Sequence, residues 1–195
     1  MHTLEEFNSM YGGTPPWDIG RPQPAFLALA DELQGRVLDI GCGAGEHALM
    51  AAKHGLEATG IDSAPAAIEI ARRKARERGL NVRFRVHNAL DLGSLGEQFD
   101  TVIDSGLFHV FGDEDRRAYV ESLKTATGPG ARYFMLCFSD RQPGDSGPRR
   151  IRQEEIRSSF SQGWRVDAIE PVKLESNMGP EGIFGWLASI TRTNA

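Results

Sequence analysis

Three glycines and two carboxylates carry the first chemical signal in this 195-residue chain. In VLDIGCGAG, Val37 to Gly45, an apolar run gives way to Gly41, Gly43 and Gly45, and Asp39 stands two residues before the first of them. A strand that feeds such a turn and then a helix brings bare backbone close to a ligand, with no Cβ in the way. The dinucleotide pattern G-x-G-x-x-G cradles a pyrophosphate, but here Glu46 occupies the place of its third glycine. Asp39 would repel a pyrophosphate and attract a cationic amine. A tight turn with a structural carboxylate is the alternative. Asp62 sets a second carboxylate on the same ledge, suited to the two hydroxyls of a ribose or to capping the helix behind it. Asn88-Ala89 can read an adenine edge by side chain and backbone, although Asn also suits loops for its own reasons. Together these residues describe a site for a nucleoside bearing an amino acid.

Such a site needs strands that end side by side, and the flanking sequence supplies them. Arg36–Ile40 reads as a strand, Glu46–His54 as a helix stopped by Gly55, and Glu57–Ile61 as a second strand. Ser63 is expected to cap the next helix, with Pro65 in its first turn, Gly79 past its end, and Ala64, Ala67, Ile68, Ala71 and Ala75 on one packing face. Strands follow at Val82–Val86, Phe99–Ser105 and Arg132–Phe138, with a helix over Asp113–Ala126 between the last two. A polar loop (Ser139–Arg150), a helix (Gln153–Phe160) and strands at Trp164–Glu170 and Phe184–Thr191 complete the chain. Before the first strand, the opening eleven residues read as a short helix through Leu4, Phe7 and Met10, and Ala25–Leu33 as another. The Pro- and Gly-rich YGGTPPWDIGRPQP between them is irregular. Strands alternating with helices imply an α/β fold, a parallel sheet covered on both faces, with its ligand past the carboxyl ends of the strands.

Length and composition fit one compact unit, and the element pattern divides it into residues 1–35, an N-terminal helical or lid segment, and 36–195, which carry the sheet. A net charge of −5, from 22 Lys+Arg against 27 Asp+Glu, disfavours a role in gripping a nucleic-acid backbone. Arg72, Arg73, Lys74, Arg76 and Arg78 read as a solvated helix face. Two cysteines make no disulfide framework and no metal cluster. The acidic start has no signal-peptide pattern and no stretch is long and apolar enough to span a membrane. A cytoplasmic chain, a monomer or weak homodimer, is expected.

With those residues in view, the chain resembles a class I S-adenosylmethionine-dependent methyltransferase from Arg36 to about Arg192. Asp39, Gly41, Gly43 and Gly45 fall on the first motif of that family and Asp62 on its ribose-binding acid, whereas Asn88 departs from the acid often found at the adenine-reading position. The resemblance implies S-adenosyl-L-methionine as cofactor and a Rossmann-like, seven-stranded sheet of order 3-2-1-4-5-7-6 with strand 7 antiparallel. Pro15-Pro16-Trp17-Asp18-Ile19-Gly20-Arg21-Pro22 is similar to the PWD-G-P segment of small-molecule methyltransferases of the thiopurine, halide/thiol and tellurite-resistance type. That likeness implies that Trp17 and its neighbours lie across the cofactor and close the pocket.

Cys42 in the turn, Ser63 after Asp62 and Ser105 at the end of the fourth strand are grouped with the cofactor contacts; the thiols of Cys42 and Cys137 read as inert packing. Asp104 and Ser105 are expected to line the methionine portion of the site, and His47 and His54 to lie on a helix surface. Tyr11 and Phe108 are expected on the acceptor side. Arg149 and Arg150, closing a loop over the site, either draw an anionic acceptor or pair with surface acids. His109, in DSGLFHVF, is the candidate base for an oxygen or nitrogen acceptor, or else a helix-end histidine with a hydrogen bond. A thiolate or halide would need no base. The acceptor is expected to be a small thiol, phenol or related molecule, with RNA, protein or a non-catalytic nucleotide-binding role as alternatives. No metal is expected.

Overall fold

The computed structural model describes residues 4–194. An N-terminal arm comes first: α1 (Leu4–Met10), an irregular segment, and α2 (Pro24–Ala28). The helix expected over the first eleven residues is thus seen from Leu4, and residues 1–3 lie outside the described part. The helix expected over Ala25–Leu33 stops at Ala28 and continues only as a 3-10 turn, Ala30–Glu32.

The sheet follows in the expected alternation: β1 (Arg36–Ile40), α3 (Glu46–Lys53), β2 (Glu57–Asp62), α4 (Pro65–Glu77), β3 (Val82–Val86) and β4 (Phe99–Ser105). Then come α5 (Asp113–Thr125), β5 (Thr127–Phe138), α6 (Gln153–Ser159), β6 (Trp164–Ser176) and β7 (Gly179–Arg192). The seven strands lie in the order β3-β2-β1-β4-β5-β7-β6. β7 runs antiparallel to both its neighbours and the other strands are parallel. Successive strand residues point to opposite faces, so the sheet feeds two cores. Leu38, Val102 and Tyr133 face one side, with Tyr119 and Leu123 of α5 and Phe160 beyond α6. Val37, Ile103 and Phe134 face the other, with Leu49 of α3, Ile68 of α4 and Phe26 of α2. Each such side chain, fully buried, contributes about 1.5–3 kcal/mol.

Three strands run longer than the sequence suggests, β5 beginning at Thr127 rather than Arg132. β6 and β7 extend as a hairpin from Trp164↔Arg192 to Ser176↔Gly179. β6 is the sheet edge, the kind of strand in which a proline such as Pro171 is found. The tip of this hairpin reaches the N-terminal arm, as described below.

Candidate active site

The glycine turn joins β1 to α3 at the carboxyl edge of the sheet. Asp39 is fully buried, 1% exposed, and its Oδ2 accepts from the Ala48 backbone N–H at 3.0 Å. Its Oδ1 has no hydrogen-bond partner among the described residues. Burial, with Asp62 and Asp104 near by, pushes its pKa up to about 7 against the Ala48 bond. A buried acceptor left unpaired is costly, and a cationic N–H donor is the group that would satisfy it. Gly43 has φ +50°, and a Cβ there would stand 2.7 Å from the Tyr11 hydroxyl. Gly45, at φ +85°, would place a Cβ 2.6 Å from the Phe84 ring. Gly41 lies against the Leu107 side chain. The backbone N–H of Cys42 donates to Ile61 O at 2.9 Å, while its thiol is buried and lies beside Gly60. Its sulfur therefore packs in the core, and only its backbone belongs to the turn.

Asp62 ends β2 and spans two elements. Its Oδ2 accepts from Gly43 N–H at 2.9 Å and its Oδ1 from Ala64 N–H at 2.8 Å, tying the glycine turn to the start of α4. Ser63 is exposed and caps nothing: the helix starts one residue later, and its first N–H groups go to Asp62 and to Asn8 Oδ1, which accepts from Ala66 at 3.0 Å. A carboxylate one residue upstream and an amide from α1 displace the expected serine cap. Asn88 is exposed, and its side-chain oxygen accepts from Leu90 N–H at 2.9 Å, capping the 3-10 turn Ala89–Leu95. That is the loop role weighed against adenine reading. Ala89 packs against the α5-side core.

Over the turn lies the arm. Trp17 Nε1 donates to the Tyr11 hydroxyl at 3.1 Å, with their rings edge-on at 6.4 Å. The hairpin tip holds this strap: Asn177 N–H donates to Pro16 O at 2.8 Å and Asn177 Nδ2 to Asp18 O at 2.7 Å. Gln23 and Glu175 exchange two bonds of 2.9 Å, Gln23 Nε2 to Glu175 O and Glu175 N–H to Gln23 Oε1. Gln23 N–H also donates to His47 Nε2 at 3.2 Å. His47 is therefore buried under the arm rather than on a helix surface, and burial drops its pKa to about 4. The basic helix face is partly committed too: Lys74 pairs with Glu46 at 2.9 Å and Asp18 at 3.8 Å, and Arg78 with Glu46 at 2.7 Å. Asn8, Gln23, Glu175 and Asn177 went unread in the sequence because each acts on a partner far along the chain.

On the acceptor side, Ser105 is half-buried at the end of β4 and Gly106 N–H donates to Leu136 O at 2.9 Å. Asp104 does not line the site. It is fully buried, accepting from Tyr119 and Tyr133 hydroxyls at 2.9 and 2.8 Å and from Leu107 N–H at 2.7 Å. Burial still pushes its pKa up to about 6. Phe108 is also core: fully buried, stacked on Phe160 at 5.9 Å, with the Arg116 guanidinium over its ring. Arg149 is drawn away into ion pairs with Asp113, at 2.5 Å, and Glu155, the surface pairing that was the alternative. Arg150 staples its own loop, donating to the carbonyls of Gln142, Ser146 and Pro148, with its guanidinium over the Phe138 ring. His109 is buried, and its Nδ1 accepts from Phe138 N–H at 2.9 Å. Desolvation, helped by Arg150 and Arg116, lowers its pKa to about 3. Its basic lone pair is taken by that bond, which is the hydrogen-bonded histidine that stood as the alternative to a base.

An S-adenosyl amino acid fits this ledge. The unpaired Asp39 oxygen meets an ammonium, the open backbone of Gly41–Gly45 leaves room beside it, and Asp62 keeps further lone pairs for hydroxyls. Among the described residues no group of three or more His, Cys, Asp or Glu could hold a metal ion. No helix is long and apolar enough to cross a membrane.

Residues 37–130 match a family model described as a methyltransferase domain. The 2-heptyl-1-hydroxyquinolin-4(1H)-one methyltransferase of Mycobacteroides abscessus is 42% identical over 168 residues, covering 84% of this chain and 74% of its own length. A structure solved for the conversion of a disulfide bond into a thioacetal group during echinomycin biosynthesis is 38% identical. It superposes with a TM-score of 0.90 over 98% of this chain and 93% of its own. TehB from Haemophilus influenzae, at 16% identity, shares the fold with a TM-score of 0.73 over 98% of this chain and 67% of its own.

Proposed function

This chain belongs to the class I S-adenosylmethionine-dependent methyltransferases, and from that premise we propose that it methylates a small-molecule acceptor between its glycine turn and its N-terminal strap. When bound, S-adenosyl-L-methionine supplies an activated sulfonium methyl group. The observation that carries the site assignment is the unpaired, buried Asp39 Oδ1 beneath the glycine turn.

In this reading Asp39 takes the ammonium of the cofactor, and the backbone of Gly41, Cys42, Gly43 and Gly45 lies along it. Asp62 accepts from its ribose hydroxyls, and Asn88-Ala89 border its adenine. Trp17 and Tyr11 roof the site and keep water out. Ser105 borders the methionine portion. Positioning in a dry site is the main contribution asked of the protein, and such placement is worth up to about 7–11 kcal/mol in favourable systems.

A small acceptor is favoured by the strap, which is pinned over the turn at both Pro16 and Asp18. The relatives named above point the same way, one being a methyltransferase of a hydroxyquinolone. The net charge of −5 supports an acceptor other than nucleic acid. Two buried free cysteines accord with a reducing compartment such as the cytoplasm, and residues 1–35 act as a lid on one domain rather than as a domain of their own. Turnover of labelled cofactor against a panel of phenols, thiols, amines and halides tests the reading. Transfer to at least one small acceptor supports it, and transfer only to RNA or protein overturns it.

A further inference from the structure

The proton on His109 is placed by the backbone. A neutral imidazole has one donor and one acceptor nitrogen. Because Nδ1 accepts from Phe138 N–H at 2.9 Å, Nε2 carries the hydrogen. Nε2 stands 3.5 Å from where a Cβ on Gly106 would be, at the carboxyl end of β4, where the crevice of such sheets opens. To act as a base, His109 would have to turn an Nδ1–H against the Phe138 N–H and leave that buried donor without an acceptor. The charged groups around it oppose this as well. Arg150, from the loop after β5, lies over the Phe138 ring that meets the His109 edge at 4.7 Å, and Arg116 approaches from α5 over Phe108. Both cations are hostile to an imidazolium, but Arg116 is balanced by Glu155 at 3.4 Å and Asp113 at 4.0 Å, so Arg150 is the charge that favours an anion.

Among the described residues, no buried carboxylate or thiol at the carboxyl ends of β1, β2, β4 and β5 is free to serve as a base on the acceptor side. Both oxygens of Asp62 and both of Asp104 accept N–H or O–H bonds. The free oxygen of Asp39 is buried beneath the start of α3 and faces the ammonium of the cofactor in the reading above. The thiols of Cys42 and Cys137 are buried. Resting on the methyl-transfer reading, we propose that the acceptor is an acidic hydroxyl or thiol that binds as its anion, with His109 Nε2–H donating a hydrogen bond to the nucleophilic atom. The acceptor gives its proton to solvent before it binds. Its anionic oxygen or sulfur then forms the new bond to the methyl carbon with its own lone pair. The electron pair of the broken carbon–sulfur bond stays on sulfur, and the product leaves as a neutral ether or thioether. No proton is removed inside the site.

Long-range proton–nitrogen correlation spectra of the full chain read the His109 tautomer directly, without any ligand. A neutral Nε2–H ring that does not titrate between pH 5.5 and 8 is expected. An Nδ1–H ring, or titration near 6.5, overturns the proposal. With substituted nitrophenols of graded acidity as acceptors, the midpoint of kcat/KM against pH should follow each phenol's own pKa one for one, and His109→Gln, which keeps an N–H donor, should retain more turnover than His109→Ala at an unchanged midpoint. A midpoint common to all phenols and lost in His109→Ala would identify a base. Turnover of neutral amines with none of the phenols would also overturn the proposal. Failure to bind S-adenosylmethionine at all would instead sink the methyltransferase reading on which it rests.

Discussion

The Tyr11 hydroxyl stands 2.7 Å from the point where a side chain on Gly43 would begin. The strap is thus packed directly against the glycine turn, and Tyr11 in turn accepts from Trp17. Gly43→Ala should be felt twice. A non-glycine residue at φ +50° costs about 1–2 kcal/mol, and its methyl pushes Tyr11 and Trp17 off the turn. Cofactor affinity measured by calorimetry should fall at least about tenfold. Tyr11→Phe in the same chain should restore only part of it, since losing the hydroxyl relieves the clash, the ring carbon standing at 3.7 Å, while the backbone strain at φ +50° remains.

Asp39 makes cofactor binding pH-dependent in a definite direction. Its folded pKa of about 7 lies above the ordinary carboxylate value of 3.8. The folded chain therefore holds the extra proton between those values, and the contribution of Asp39 to stability is full below pH 4 and lost as pH rises towards 7. An ammonium partner needs the ionised form. The thermal stabilisation given by S-adenosylmethionine should be larger at pH 8 than at pH 5.5, with affinity weakening by up to about tenfold per pH unit below 7. Asp39→Asn keeps an acceptor for Ala48 N–H, so it should fold, bind more weakly and lose this pH dependence.

The hairpin tip sets how firmly the roof is held. Asn177→Ala removes the bond to Asp18 O and keeps the backbone bond to Pro16 O. It also removes a longer bond of 3.4 Å from Nδ2 to Pro15 O; at about 1 kcal/mol for each such bond, the loss is too little to unfold the chain. Amide exchange in residues 11–22 should speed up several-fold while exchange in β1 and β4 is unchanged. Equal acceleration in both regions would mean that the strap is not a separable lid.

Arg149 and Phe108 separate site from scaffold. Arg149→Ala should change kcat/KM by less than about twofold, because its guanidinium already pairs with Asp113 and Glu155. Phe108→Ala should cost about 3–5 kcal/mol of stability, the ordinary price of emptying a buried aromatic site. A chemical-denaturation midpoint checks it, and an acceptor preference altered without loss of stability would contradict it.

The parts legible in the sequence are those governed by near neighbours. Arg36–Ile40, Val82–Val86 and Phe99–Ser105 form strands at the limits their apolar runs set, and the seven-stranded order follows from the family resemblance. The motif from Asp39 to Gly45 lies at the carboxyl edge of β1, where its glycines and carboxylate were expected. What was hidden depends on distant partners. His47 reads as polar surface until Gln23 and Phe26 are folded over it. Ser63 has the right residue type for a cap, but Asp62 and Asn8 reach the same N–H groups first. Phe108 shares a loop with the site and yet turns inward, because Asp104 holds the preceding Leu107 N–H and winds the chain into a 3-10 turn. The hairpin extension beyond Glu170 is masked in the sequence by Pro171 and by the Gly179-Pro180 and Gly182 breaks, although Val172 and Leu174 alternate into the core and only its tip bonds to the arm.

One measurement reaches the central assignment most directly: calorimetric titration of the chain with S-adenosylmethionine at pH 8, beside Asp39→Asn and beside NAD. Saturable binding of S-adenosylmethionine, about 10- to 100-fold weaker in Asp39→Asn and absent with NAD, is the predicted result. Binding of NAD in preference, or cofactor binding untouched by Asp39→Asn, would contradict the placing of the cofactor's ammonium on that buried carboxylate.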